Sequence, residues 1–359
     1  MLGYIARRLL MSVPVLIGIL LVTFVLARLI PGDPCKAILG EKATQEVCER
    51  FKRNHGLDRP IYVQFAYYAR QMVQGDFGDS IRFSRPVSRI LVERLPTTIE
   101  LALGGLIVAL LIGIPLGIVS AMRHNTGIDV ASMIVANIGI SMPVFWLGLM
   151  LSYAFALLLK GTPFWLPPSG RLTAGLISVP FYEVWNWAVA KGTTTTAALD
   201  FIANHLIFNA LITGNWKILN DAVRHLILPV FALSTIPMAI IARMTRASLL
   251  EVLGRDYIRT AHAKGASERR VVMGHAMRNA LLPVVTILGL QMGGLLGGAV
   301  LTETVFGLSG VGRMLFEAIT ARDYPIIQAF TVVIAVSYML INLIVDVSYG
   351  FLDPRVRLE

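Results

Sequence analysis

The sequence predicts an all-α membrane protein with six transmembrane helices and a small folded external loop region. Hydrophobic residues make up 55% of its 359 residues and charged residues only 15%, whereas a soluble domain is about 25% charged. Six stretches without Asp, Glu, Lys or Arg are long enough, or nearly so, to cross a bilayer as helices. They are Leu9–Ala27, Leu101–Met122, Val130–Leu159, Leu226–Ala242, Asn279–Thr302 and Tyr324–Val345.

These stretches are predicted to be helices, because only helices and closed barrels satisfy every backbone polar group in lipid and none of the stretches alternates. The third is over-long, and Pro143 predicts a kink or the end of a turn within it. The first follows Arg7 and Arg8, but its apolar core is longer than that of a signal peptide and no small-x-small cleavage site follows. We therefore expect it to be retained as a membrane helix.

The excess of basic residues predicts the orientation in the membrane. The chain has 32 Lys and Arg against 22 Asp and Glu, a net charge of +10. A bias of this kind marks cytoplasmic loops, so topology explains the charge without any nucleic-acid partner. We expect a multi-pass plasma-membrane protein with both termini in the cytoplasm. The basic residues that fall on this side are Arg7, Arg8, Arg123, Arg243, Arg246, the six from Arg255 to Arg278, Arg355 and Arg357.

Three regions follow along the chain. Residues 1–30 hold the N-terminal region and first span, 31–97 an external loop domain, and 98–359 the transmembrane core with spans two to six. The core includes a second external loop at 160–222 and a polar cytoplasmic loop at 248–280.

Parts of both external loops are expected to be helical. Apolar residues at helical spacing predict an amphipathic helix over Pro60–Gln74 and a short helix over Pro86–Arg94. Thr97–Glu100 is expected to begin the second span as a capping box. The apolar stretch Phe201–Ile212 is too short to span and is predicted to be interfacial or re-entrant.

The two cysteines of the chain, Cys35 and Cys48, both fall in the first external loop. A disulfide can persist on that side of the membrane. Spacing alone does not show that the geometry permits a bond, so a bridge and two separate thiols are both left open here.

No motif in the chain indicates catalysis or metal binding. The sequence has no glycine-lysine pair for a phosphate-binding loop, no His-Glu-x-x-His and no Gly-x-Ser-x-Gly. Carboxylates and histidines are scarce within the spans, whereas ion-coupled carriers need them near the bilayer centre. We expect no catalytic residue, no metal site and no cofactor in this chain, and an energy source elsewhere.

Glycines recur on one face of the fifth span. Gly289, Gly293 and Gly297 are four residues apart, a spacing that lets another helix approach closely. Gly113 and Gly117 form a similar pair in the second span. Packing within the bundle explains such faces, and a subunit interface or a sliding helix is the alternative.

A polar island separates the fourth and fifth spans. It begins with a predicted helix over Asp256–Lys264, which has an acid at its positive end and is closed by Gly265 in a positive-φ conformation. Ser267 is then expected to cap a second helix with Glu268 in its first turn. A short exposed helix between two membrane spans is typical of a docking element.

This island resembles the EAA loop of ABC importer membrane subunits, in which a short helix docks into a groove of the ATPase. Ala261 and Gly265 match the general pattern of that loop. The peptide and nickel branch resembles this chain more closely, and its motifs occur here in order along nearly the whole chain. The matching stretches are Pro31–Pro34, Gly75–Ser80, Leu95–Thr98, Leu166–Gly170, Asp256–Gly265, His275–Pro283, Glu303–Gly307, Ala321–Pro325 and Leu352–Arg355.

The resemblance implies a type I ABC importer permease fold and the role of the first of two permeases in a peptide importer. The implied partners are a second homologous permease, two cytoplasmic ATP-binding subunits that hold ATP and magnesium, an external substrate-binding protein and membrane lipid. The loop 248–280 would then be the coupling loop. Its implied ATPase-coupling residues are Asp256, Tyr257, Arg259, Thr260, Ala261, Lys264 and Gly265.

Two alternatives stay open at this point. Within the same family, the transported solute could be nickel, glutathione or another small molecule, because the motifs do not separate these substrates. A membrane enzyme or a component of protein secretion is the alternative from another class. Clustered His, Asp or Ser within the spans would favour an enzyme, and the sequence has no such cluster.

Overall fold

The computed structural model describes residues 2–29, 44–54, 58–190 and 192–352, and within these ranges the chain folds into helices joined by loops. We call the side predicted to face the cytoplasm the inner side and the opposite one the outer side. The helices are, in chain order, α1 (Leu2–Leu29), α2 (Gln45–Asn54), α3 (Ile61–Gln74), α4 (Val87–Met122), α5 (Gly127–Ser141), α6 (Val144–Ser152), α7 (Phe181–Val184), α8 (Thr194–Ala203), α9 (Leu206–Ile212), α10 (Trp216–Leu253), α11 (Asp256–Ala263), α12 (Glu268–Arg270), α13 (Met277–Val305), α14 (Val311–Ala321) and α15 (Tyr324–Leu352).

Five of the six predicted spans are long helices, namely α1, α4, α10, α13 and α15, and this confirms the all-α membrane fold. The third predicted span is a bent pair. There α5 meets α6 and the π-helical turn Tyr153–Leu158 at an angle of 99°. Pro143 is the N-cap of α6, where its missing backbone N–H removes no helical hydrogen bond. The predicted kink at this proline is therefore a full break in the span.

Helix α10 lies at the centre of the bundle. Within this chain 78% of its most apolar stretch is buried, against 11% for that of α15. Helix α4 packs along it at very short range, because a Cβ on Gly113 would lie 2.7 Å from the carbonyl oxygen of Met238 and one on Gly117 would lie 2.6 Å from that of Ala242. The predicted close approach at this glycine pair is confirmed, and α13 completes the main core.

Helix α4 begins earlier than the sequence predicted. It is continuous, so a separate short helix over Pro86–Arg94 and a capping box at Thr97–Glu100 are both wrong. Val87 and Ile90 in its first turns are buried against α14 and α15. Their burial offsets the cost of about 3 kcal/mol that Pro96 imposes inside a helix. The boundary between the second and third predicted regions, at 97/98, thus falls within one helix.

The acid assigned to that cap makes long-range contacts instead. The Glu100 carboxylate accepts hydrogen bonds from the Arg171 guanidinium at 2.7 Å and from the backbone N–H of Ile207 at 2.9 Å. Arg171 also donates to the carbonyl of Asn204 at 2.8 Å. Burial lowers the pKa of the Arg171 guanidinium, and the Glu100 charge opposes that shift. This ion pair fastens the second external loop to α4.

The segment Phe201–Ile212 lies in the bent pair α8 and α9, which meet at 90°. The two helices are 10 and 7 residues long, so neither alone crosses a bilayer. Asn209 in α9 is buried, and its side chain accepts a hydrogen bond from the Phe181 N–H at 2.8 Å and donates to the Val179 carbonyl at 2.8 Å. Together the two helices are also long and apolar enough for one broken span, so the interfacial or re-entrant assignment stays a prediction.

Helices α1 and α15 lie together at the periphery. Arg8 of α1 forms an ion pair with Asp346 of α15 at 3.1 Å near the inner side. Toward the outer side, Phe24 packs against Phe65 and Tyr68 of α3 with ring centroids 5.3 and 5.7 Å apart. The amphipathic helix predicted over Pro60–Gln74 is therefore present as α3, and it packs on the membrane helices as expected.

The predicted disulfide stays a prediction. Cys35 lies outside the described residues, and Cys48 is a buried residue of α2 with 6% of its surface exposed.

Candidate coupling surface

The polar island contains the short helix that the sequence predicts. We call α11 the coupling helix, after the role that the family resemblance implies for it. It begins after Arg255, which is extended, and Asp256 lies in its first turn, where a carboxylate is favoured by the helix dipole. Lys264 ends the helix, and Gly265 follows with φ of +78°, a conformation that disfavours any residue with a Cβ. Both the helix and the positive φ are confirmed.

The coupling helix rests on an apolar seat. Ile258 is its one buried residue and is only 1% exposed. Ala261 is half-buried beside it. The seat consists of the inner ends of α4 and α10 and the beginning of α13 with the turn before it. Its buried residues other than Ile258 are Ala121, Leu249, Val271, Val272, Ala276, Met277 and Ala280.

One hydrogen bond adds direction to this apolar contact. The side-chain amide of Asn279, in the first turn of α13, donates to the Tyr257 hydroxyl at 2.8 Å. Asn279 belongs to the stretch that carries the family resemblance, but its partner was not predicted. A polar residue beside a helix start was the only sequence signal, and it did not identify Tyr257 at a separation of 22 residues. The coupling helix is thus connected to α13 both by packing and by this bond.

The opposite face of the coupling helix is open. The side chains of Asp256 and Arg259 are 97% and 77% exposed and approach one another at 3.5 Å. An ion pair this exposed contributes little stability. Tyr257, Thr260 and Lys264 are exposed on the same element. Except for Ala261, the predicted coupling residues therefore form one accessible polar surface.

The connection from the coupling helix to α13 differs from the prediction. Ser267 occupies the N-cap position, but its side chain makes no capping hydrogen bond, so the predicted cap is wrong in that respect. The second helix is only the three residues of α12, followed by a π-helical turn over Val271–Ala276 that runs directly into α13. The buried side of this turn belongs to the apolar seat, which overrides the local preference of serine.

A second inner contact braces α10 just before the coupling loop. Asp129 of α5 is buried and accepts two hydrogen bonds from the Arg246 guanidinium at 2.7 and 2.8 Å. It also accepts hydrogen bonds from the Ser120 hydroxyl and the Asn125 N–H. The two charged partners are 117 residues apart, and no local pattern identified the pair. Bidentate geometry of this kind fixes orientation as well as distance.

The glycine face of α13 serves packing within the chain at two of its three positions. A Cβ on Gly289 would lie 3.2 Å from the Asn342 side chain, and one on Gly293 would lie 2.1 Å from the Tyr338 ring. Both neighbours belong to α15. Gly297 has no neighbour within 4 Å of such a Cβ. It faces away from the described part of this chain.

The described residues contain no group of three or more His, Cys, Asp or Glu side chains arranged to hold a metal ion. The coupling surface presents exposed hydrogen-bonding and charged side chains around one aromatic ring.

Comparison with known proteins covers almost the whole chain. Residues 113–358 match the family described as binding-protein-dependent transport system inner membrane component, and residues 1–102 match the N-terminal region of such membrane components. The dipeptide transport system permease protein of Alkalihalophilus pseudofirmus is 44% identical over 357 residues, which is 99% of this chain and 100% of that protein. The dipeptide transport system permease protein of Escherichia coli is 40% identical over 362 residues, 99% of each chain. The oligopeptide transport system permease protein of Bacillus subtilis is 39% identical over 358 residues, 99% of this chain and 100% of that protein.

Proposed function

The chain belongs to the family of inner membrane components of binding-protein-dependent transport systems, and on that premise we propose that it is a permease subunit of an ATP-driven peptide importer. It lines the path for di- or oligopeptides together with a second, homologous permease. An external binding protein delivers the peptide, and two cytoplasmic subunits bind ATP with magnesium and hydrolyse it. This assignment goes beyond family membership in its substrate, its partners and its orientation.

The observation that carries the proposal is the construction of the coupling helix. Its polar face is open, while Ile258 on the other face is fixed in the apolar seat. An ATP-binding subunit that binds the open face therefore displaces α4, α10 and α13 through the seat when it moves. The sequence has no phosphate-binding loop of its own, which agrees with ATP being held by a partner.

The proposed motion begins when the two ATP-binding subunits close on ATP. Their closure displaces the coupling helix, and the seat and the Tyr257–Asn279 hydrogen bond carry that displacement into α13. The path between the two permeases then opens toward the binding protein and accepts the peptide. Return of the helix after hydrolysis opens the path toward the cytoplasm.

Uptake by the reconstituted complex tests the function. Permease, sister permease, ATP-binding subunits and binding protein in lipid vesicles are expected to accumulate a labelled dipeptide only when ATP is supplied to the ATP-binding subunits. Nickel ion, glutathione and other, unmodified tripeptides serve as competitors, and the accumulation of labelled nickel ion and labelled glutathione is measured in parallel. Competition by peptides alone supports the peptide assignment, while accumulation of nickel or glutathione in place of peptide would replace it with the alternative substrate.

The orientation has its own test. The labelling uses a chain in which Cys35 and Cys48 are replaced by serine, so that each variant carries a single cysteine. We expect a cysteine replacing Glu268, which is exposed on the coupling loop, to react with a membrane-impermeant reagent only after cells are opened. A cysteine replacing Arg89, which is exposed near the start of α4, is expected to react in intact cells. The opposite pattern would contradict cytoplasmic termini and the docking assignment together.

A further inference from the structure

The helix α14, which lies between the last two membrane spans, begins on a buried carboxylate. Glu303 near the end of α13 is 0% exposed. Its carboxylate accepts hydrogen bonds from the Thr98 hydroxyl at 2.6 Å, from the Arg313 N–H at 2.8 Å and from the Gly312 N–H. The guanidinium of Arg313 pairs with Glu317 at 3.0 Å. The Glu303 carboxylate is therefore bound mainly by the first backbone N–H groups of α14, where a negative charge is most favoured.

Thr98 joins a third helix to this contact. Its hydroxyl oxygen accepts the N–H of Val311 at 2.8 Å while its proton is donated to Glu303. Thr98 is itself 1% exposed. Helices α4, α13 and α14 therefore meet at one hydrogen-bonded point with almost no access to water.

The backbone around this point has no spare room. A Cβ on Gly310 would lie 2.2 Å from a Glu303 oxygen, and one on Gly312 would lie 2.8 Å from the backbone of Val300. Only glycines allow the start of α14 to approach the carboxylate and α13 this closely. The contact is thus specified by residues on both sides.

The remainder of α14 has one buried and one open face. Val311, Met314 and Ala318 pack against the first turns of α4 and of α15. Phe316 and Ile319 on the opposite face are 52% and 57% exposed. In the proposed importer these two side chains lie on the outer side, where an exposed apolar pair is suited to close the path by packing against a matching surface.

We propose that Glu303 is the positioning residue that makes α14 move together with α13, so that the displacement delivered at the inner end of α13 moves an outer closing element. The proposal rests on the proposed function. Helix α13 is 29 residues long, roughly 43 Å at 1.5 Å per residue, and it runs from the coupling surface to just beyond Glu303. Carboxylate hydrogen bonds to backbone N–H groups are short and directional, so they transmit both rotation and translation.

The variants that test this proposal change the contact without changing its volume. Glu303→Gln replaces one of the two acceptor oxygens by an NH2 group, which donates hydrogen bonds and cannot accept one from Thr98 or from the backbone N–H groups. Thr98→Val removes the hydroxyl. Thr98→Ser keeps the hydroxyl and is the rescue variant. Thr320→Val is the matched control, because the exposed Thr320 hydroxyl donates only to carbonyls within α14.

The measurement uses the complete complex in lipid vesicles. Spin labels on unnatural keto amino acids, which spare the native cysteines, are placed at Thr304 of α13 and Ile319 of α14, both exposed. The distance between the labels is recorded without nucleotide and in the ATP-trapped state. ATPase activity and dipeptide uptake are measured on the same preparations without labels.

We expect a single narrow distance between the labels at 304 and 319 in both states of the native chain. In Glu303→Gln and Thr98→Val the distribution broadens and uptake falls about tenfold or more, the result of removing interactions needed to couple the two helices. Basal ATPase activity and subunit assembly remain, and Thr98→Ser and Thr320→Val behave as the native chain does. A mere loss of folding would also lower assembly and basal ATPase activity.

Two results would overturn the proposal. One is a 304–319 distance that changes in the native chain on ATP trapping, since α14 would then move independently of α13. The other is native uptake with a narrow distance in both Glu303→Gln and Thr98→Val. If the native complex transports no peptide at all, the proposed function fails, while the distances still decide whether Glu303 fixes α14.

Discussion

The two ends of α13 are joined to their neighbours by different kinds of contact. At the inner end the coupling helix rests on apolar side chains, with one neutral hydrogen bond from Asn279 to Tyr257. At the outer end a buried carboxylate and a hydroxyl bind the first backbone N–H groups of α14. Apolar contacts are non-directional and permit sliding, whereas charge-assisted hydrogen bonds require a definite geometry. This difference suits a helix that is displaced through a deformable apolar contact at its inner end. The hydrogen-bonded contact at its outer end then transmits the displacement.

The apolar contact between the coupling helix and its seat is expected to be lost when a charged side chain is placed in the seat. Ile258→Asp places a carboxylate at a position that is 1% exposed, at a cost of about 3 kcal/mol or more. We expect the coupling helix to leave the seat, ATP-binding subunits to dissociate and uptake to fall to background. Uptake and copurification of the ATP-binding subunits are the measurements.

Two controls accompany that variant. Ile258→Leu keeps the volume and is expected to retain uptake. Met273→Asp adds the same charge at a nearby residue that is 57% exposed, outside the seat. Retention of the sister permease shows that each variant is folded. Native uptake by Ile258→Asp would show that the seat does not transmit the displacement of the coupling helix to the membrane helices.

Gly265→Val is expected to have the next largest effect. A β-branched residue at φ of +78° is strained by roughly 1–2 kcal/mol and re-aims the end of the coupling helix. We expect uptake to fall about tenfold, the rate change that 1.4 kcal/mol produces. Gly254→Ala is the matched control, since Gly254 has an ordinary helical φ of −76°. Equal losses in both variants would argue against a specific role for the positive φ.

Losing the single inner hydrogen bond is expected to have the smallest effect. Tyr257→Phe and Asn279→Leu each remove a neutral hydrogen bond worth about 1 kcal/mol, which corresponds to a severalfold decrease in uptake. The ATP-binding subunits are expected to remain bound. In the double variant the two losses should not add, because they remove the same interaction. Additive losses would mean that the two side chains act separately.

The local features of the coupling surface could be predicted from the sequence. An acid at the start, a lysine and a glycine at the end, and polar residues between two apolar runs defined the coupling helix to within one residue. The positive φ of Gly265 follows from the same local chemistry. These signals lie within about ten residues of one another, so no knowledge of the tertiary fold was needed.

The contacts that join distant segments could not be predicted in this way. Glu100 was assigned to a local cap, but it pairs with Arg171 across the fold because α4 continues through Pro96. Asp129 and Arg246 meet only because α5 folds back against α10. A buried ion pair or carboxylate is specified by packing, and a single sequence shows only that a charge interrupts an apolar stretch.

The most direct test of the coupling assignment is photo-crosslinking from the open face of α11. A photoreactive benzoylphenylalanine at Thr260, in the assembled complex, is expected to capture an ATP-binding subunit, with a yield that changes between the nucleotide-free and ATP-trapped states. The same amino acid at Thr320 of α14 is the control and is expected to capture none. Capture of the ATP-binding subunit from Thr320 alone, or from neither position in an active complex, would contradict the account.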